Sequence, residues 1–175
     1  MRIIAASDTT YSTQNPPMPK QYAATWLELE KQLATWMKGF ERPGLTFCAG
    51  YRSIPGFPSD GFRADGLLTD GQTLIALEVE VRQTHPDTNV GKYWLLSEHR
   101  QYQRVILFHL YTPAFNSYGW RLKLGQFYAK KMKAELPFEY ILLDRREDTD
   151  STATFDSVTK QIATRIRREF PKSKR

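Results

Sequence analysis

The acidic side chains of one short stretch are the residues of this chain best placed to do chemistry. In FRADGLLTDGQTLIALEVEV, Glu78 and Glu80 stand in an otherwise apolar run, and Asp65 precedes them across an Asp70-Gly71 dipeptide. Side chains alternate along a strand, so Ile75, Leu77, Val79 and Val81 share one face while Leu74, Ala76, Glu78 and Glu80 share the other. Asp-Gly suits a two-residue type I′ turn, because both positions need positive φ. With that turn, Thr69 pairs with Gln72, Asp65 lies opposite Ala76 and Arg63 lies opposite Glu78. Asp65 then shares the face of Glu78 and Glu80, diagonal to Glu78 at roughly 7 Å between Cβ atoms. Carboxylates gathered on one face repel each other unless something compensates. A hard divalent cation is one compensation: Mg²⁺ prefers oxygen ligands and keeps several waters, so Asp65 and Glu78 with water and a phosphate oxygen make a reasonable site. An ion pair between Arg63 and Glu78, with Glu80 left at an edge, is the other.

The surrounding elements must position that hairpin. MPKQYAATWLELEKQLATWMKGF places Tyr22, Trp26, Leu29, Leu33, Met37 and Phe40 at spacings of three and four, a helix stopped by Gly39 and Pro43. LTFCAGYRSI reads as a first strand and IPGFPSDG as a loop. HPDTNVGKYWLLSEHRQ reads as a helix and RVILFHLY as a central, buried strand. LKLGQFYAKKMKAEL is a third helix with Phe127, Tyr128, Met132 and Leu136 on its apolar face, and FEYILLD is a further strand. STATFDSVTKQIATRIRREF closes the order with Phe155, Val158, Ile162, Ile166 and Phe170 aligned. This alternation predicts an α/β domain whose central mixed sheet, of about five strands, is covered by helices on both faces. Residues 1–19 read as a flexible arm, 20–170 as one domain and 171–175 as a basic tail.

Composition narrows the function classes. At 175 residues with 41% apolar and 13% aromatic content, the chain can bury a core and is no disordered polymer. A single cysteine, Cys48, excludes an internal disulfide, and MRIIAASDTTYS lacks a signal-peptide pattern, so a reducing, cytoplasmic setting is expected. No run approaches eighteen apolar residues, which argues against a membrane span. The net charge of +6 favours an anionic partner. His85, His99 and His109 form no metal-ligand spacing; His109 reads as a satisfied core residue, while His85 either approaches the carboxylates or ends a strand. Cys48 reads as buried rather than reactive. The chain carries no phosphate-cradling glycine loop, nucleophile elbow or zinc pattern.

Over residues 20 to 111 the order of elements and the acidic positions resemble the PD-(D/E)XK nuclease superfamily, the restriction-endonuclease-like fold. Its core is a helix, a three-strand meander, a helix and a further strand, with an acid on the second strand and an acidic-x-basic trio on the third. Asp65 in RADG matches the first acid, and Glu78, Val79 and Glu80 in EVE match the trio. Asp60 in PSD offers a second reading of the first acid, but Asp65 lies within the strand. Lysine is usual at the third trio position, where this chain has Glu80; some restriction enzymes of the superfamily also use glutamate there. The resemblance implies DNA hydrolysis with Mg²⁺ or Mn²⁺ held by Asp65 and Glu78, and water oriented or deprotonated by Glu80 or by Lys92. Lys92, in NVGKYWLL, stands where the superfamily's lysine can migrate to the next helix. Gln83 would approach the same site. First-helix acids contribute in some members; at about 100° per residue Glu30 lies beside the apolar stripe and Glu28 nearly opposite it, so Glu30 is the candidate. The resemblance also allows a homodimer or a partner subunit, and an inactive DNA-binding or scaffold protein is the alternative.

Basic residues supply candidate phosphate contacts. AKKMK and TRIRREFPKSKR bring Lys130, Lys131, Lys133, Arg165, Arg167, Arg168, Lys172, Lys174 and Arg175, read either as a DNA surface or as a solvated helix face and tail. Aromatics of FNSYGW either stack on bases or pack locally.

Overall fold

An apolar helix stripe can be buried only against another apolar face, and this chain solves that problem on both sides of one sheet. The computed structural model describes residues 20–49, 63–82, 85–98, 102–115, 117 and 119–172. Along them run α1 (Lys20–Lys38), β1 (Thr46–Cys48), β2 (Gly66–Thr69), β3 (Thr73–Glu80), α2 (Pro86–Glu98), β4 (Arg104–Tyr111), α3 (Gly119–Glu135), β5 (Phe138–Asp144) and α4 (Ser151–Glu169). The strands form one sheet in sequence order, with β1, β2 and β3 antiparallel and β3, β4 and β5 parallel. Each parallel step needs a crossover, and α2 and α3 provide them. The expected N-terminal arm, Asp60, Gln83, His99 and the last tail residues, 173–175, lie outside the described residues, as does most of the loop before Arg63.

On one face, α1 presents Trp26, Leu29, Leu33 and Met37, all buried, against Leu68, Ile75, Leu77 and Val79 of the sheet. Each such side chain contributes roughly 1.5–3 kcal/mol by leaving water. Val158, Ile162 and Ile166 of α4 join the same core. α1 ends where expected: Gly39 N and Phe40 N donate to Trp36 O and Met37 O, three residues back, which closes the last turn. α4 starts on Asp150, whose carboxylate accepts from the Thr152 and Ala153 amides at 2.8 and 3.3 Å.

On the other face, Leu67, Leu74, Ala76, Val105 and Leu107 pack against Val90, Tyr93 and Leu96 of α2 and Ala129 and Met132 of α3. Phe127 does not join them as expected: it is 54% exposed. The reason is helix geometry: α3 buries Gly125, Ala129 and Met132, and Phe127, two residues after Gly125, lies about 200° around the helix from it. The small residues Gly125 and Ala129 therefore face inward, and Phe127 is turned outward. Cys48 is half-buried against this second core.

The hairpin register differs from the sequence expectation by two residues. Thr69 pairs with Leu74 and Gly66 with Leu77, so Asp70 to Thr73 form a four-residue connection. Asp70 Oδ1 accepts from Gln72 N at 2.9 Å and Thr73 N at 2.7 Å, and Thr69 Oγ1 accepts from Gly71 N while donating to Thr73 O. These side chains satisfy the loop backbone without the tight turn. Only Gly71 needs the left-handed region, at φ +89°. A slip of two keeps every residue on its face. Continuing the observed ladder one step sets Asp65 level with Glu78, instead of Ala76, and removes Arg63 from that position. Among the described residues no helix is long and apolar enough to cross a membrane.

Candidate functional site

The acidic residues gather at the carboxyl end of β3, where the parallel part of the sheet opens; this is the edge at which α/β sheets bind ligands. Asp65, just before β2, reaches across to the third strand, and its Oδ2 accepts from Val79 N at 2.7 Å. Burial pushes its carboxyl up, against the pull of that amide and of Lys92.

Glu78 is buried. Its Oε1 meets Lys92 Nζ at 2.8 Å and accepts from the Tyr93 hydroxyl at 2.5 Å. Burial dominates nonetheless, and with Asp65 it lifts the Glu78 carboxyl from 4.5 to about 8 despite Lys92. Lys92 is itself buried, and also donates to Arg63 O at 2.5 Å and Asn89 Oδ1 at 3.1 Å. Three acceptors thus meet its three donors. The partner cation that the sequence offered to Glu78 from Arg63 is supplied here by α2.

Glu80 is fully buried beside them. Its Oε1 lies 2.6 Å from His109 Nε2 and accepts from Asn89 Nδ2 at 2.8 Å. The imidazole's other nitrogen, Nδ1, is 3.1 Å from the Tyr140 hydroxyl. A tautomer with its hydrogen on Nε2 satisfies both bonds, His109 donating to Glu80 and accepting from Tyr140. Glu80 Oε2, in contrast, is buried with no hydrogen-bond partner among the described residues. Leaving a carboxylate oxygen so costs free energy unless something binds it.

Glu30 completes the group from α1. Burial first, then the charges of Asp65 and Glu80, push its carboxyl from 4.5 to about 7, while Lys31 pulls it down. The five catalytic candidates, Asp65, Glu78, Glu80, Lys92 and Glu30, are therefore brought together. Among the described residues no three His, Cys, Asp or Glu side chains converge as a ready-made metal cage. The donor set still suits a divalent cation that retains most of its own water: oxygen ligands, an unpartnered Glu80 Oε2 and carboxyls held above their ordinary range. Asp65 and Glu78, the expected ligand pair, would hold such an ion, with Glu80 Oε2 as a further oxygen left without a partner among the described residues.

The basic candidates divide differently. Lys130, Lys131 and Lys133 are exposed along α3. Arg165 is corrected: it is buried, hydrogen-bonds Glu139, and places Nε 2.9 Å from Glu169 Oε1, so its charge is spent inside the protein. Arg168 is exposed, with Nε 3.2 Å from Glu169. His85 is exposed, and its carbonyl accepts from the Thr88 amide and hydroxyl.

Sequence reasoning missed Asn89, Tyr93 and His109 as parts of the site. Asn89, Lys92 and Tyr93 follow one another at helical spacing, so α2's inward face was a usable signal. His109 is satisfied, as expected of a core histidine, but by Glu80 itself. Its place depends on a parallel pairing that sets it level with Glu78, and no local pattern fixes a parallel register. In comparisons with family models, with curated proteins and with solved structures, the chain matched nothing.

Proposed function

We propose that this chain is a metal-dependent DNA endonuclease of the PD-(D/E)XK type. The observation that carries the reading is the convergence of Asp65, Glu78 and Glu80 with Lys92, whose Nζ lies 2.8 Å from Glu78. An ammonium from the following helix stands beside the first acid of the trio, in a chain whose third trio position is Glu80. A bound Mg²⁺ or Mn²⁺ would supply an acidified water and a counter-charge for a phosphodiester. The chain's own groups do the rest. Asp65 and Glu80 present oxygens at one edge of the sheet, Lys92 holds Glu78 in place with its charge beside it, and Glu30 closes the acidic rim from α1. His109 and Asn89 fix Glu80 Oε1 in place and leave Oε2 to bind.

The test is cleavage of duplex, single-stranded and branched DNA with Mg²⁺ and with Mn²⁺. Asp65→Ala and Glu78→Ala should abolish metal-dependent cleavage with the circular dichroism spectrum retained. Unchanged cleavage in either variant would overturn the reading. A second reading, an inactive DNA-binding or scaffold protein on the same fold, is favoured by one observation: Glu80, where lysine is usual, is tied to His109 and Asn89. Mn²⁺ binding by calorimetry that Asp65→Ala removes, without cleavage of any DNA, would select it.

A further inference from the structure

α3 leaves an unusual face to solvent. Its buried side is Gly125, Ala129 and Met132. On the opposite side Trp120, Lys123, Phe127, Lys130 and Lys131 follow at spacings of three and four, all exposed, so one stripe runs the length of the helix. Trp120 and Phe127 are 55% and 54% exposed, among the largest apolar side chains left in water. The aromatic surface extends toward α2, with Phe127 and Tyr128 centroids 6.3 Å apart and Tyr128 and Trp94 centroids 6.0 Å apart. Lys131 lies 5.8 Å over the Phe127 ring, and Arg121 lies 4.5 Å over the Trp120 ring.

We infer that this stripe is a track for single-stranded DNA leading to the carboxylates. Lysines alternating with flat rings offer both partners that a single strand seeks, for its phosphates and for its unstacked bases. A duplex would use only the lysines, because its bases are already stacked. A lipid surface would want a continuous apolar band, whereas here Lys123 comes between the two exposed rings along the helix. The stripe is also anchored to the site. Arg121, next to Trp120, pairs with Asp87 at 3.0 Å in the first turn of α2, two residues before the Asn89 that holds Glu80. The inference rests on the nuclease reading for which bond is cut, but binding by the stripe needs no cleavage.

The test measures anisotropy of fluorescent oligonucleotides, single-stranded and duplex, on the full chain without divalent metal. Trp120→Ala/Phe127→Ala should weaken single-strand binding about tenfold or more, with duplex binding little changed. Replacing Lys123, Lys130 and Lys131 by glutamine should lower the salt slope for the single strand by about 2. Unchanged single-strand affinity in the aromatic variant would overturn the inference, as would an equal loss for duplex. Binding of the parent to anionic phospholipid vesicles, lost in the aromatic variant while oligonucleotides are ignored, would overturn it too. Cleavage that fails while stripe-dependent binding persists would sink the nuclease reading and leave this one standing.

Discussion

At the scale of single residues, Glu78 and Lys92 show how burial and pairing divide the work. Burial holds the Glu78 carboxyl at about 8 although Lys92 lies 2.8 Å away. A carboxyl so placed can answer the loss of its cation by keeping a proton. Lys92→Met should therefore cost about 2 kcal/mol: a neutral Glu78 still accepts from Tyr93, but Arg63 O and Asn89 Oδ1 lose a donor. DNA cleavage should fall about 100-fold or more if Lys92 serves proton transfer. Thermal unfolding and single-turnover cleavage measured on the same preparation separate these; a large stability loss with unchanged cleavage per folded molecule would make Lys92 structural.

At the scale of elements, the helices and strands were readable because each carries a strong period. The stripe Trp26, Leu29, Leu33, Met37 and the run VILFHLY each had one sensible fold, and both formed it. The trio's face was also readable, since alternation survives an error of two in register. Helix rotation was less so. Phe127 is as apolar as Met132, yet α3 settles with Gly125, Ala129 and Met132 inward and Phe127 outward. Arg165 shows the same limit: on a basic helix nothing local distinguishes it from Arg168, but β5 sets Glu139 beside it. Arg165→Ala should thus lower stability by about 2 kcal/mol and leave the salt slope of DNA binding unchanged. Denaturant unfolding and a salt titration check the two halves, and a reduced slope with unchanged stability would restore Arg165 to the DNA surface.

At the scale of the whole molecule, the acidic cluster sets how stability responds to pH. Glu78 rises from 4.5 to about 8 and Glu30 to about 7, and Asp65 is raised as well. The folded state then holds more protons than the unfolded chain through that window, so stability is greatest near its acid end and is lost as pH climbs to about 8. Asp144, lowered by Arg146, works in the opposite sense but only in stronger acid, below 3.8. The metal-free unfolding temperature should fall between pH 5 and pH 8, and Glu78→Gln should flatten that fall. An unfolding temperature rising over the same range would contradict the burial of these groups as ionisable carboxyls.

The four-residue connection from Asp70 to Thr73 also governs which length changes the chain can survive there. Inserting or deleting two residues moves the rung at which Asp65 stands but leaves it on the face of Glu78, so the site is loosened, not dismantled. A change of one residue turns β2 over, carrying Asp65 into the layer occupied by Trp26 and Met37 and Leu68 into the layer of Leu74 and Ala76. Length variation among descendants of this chain should therefore be even-numbered in this loop, a parity imposed by the pleat of the strand and not by the loop's own residues.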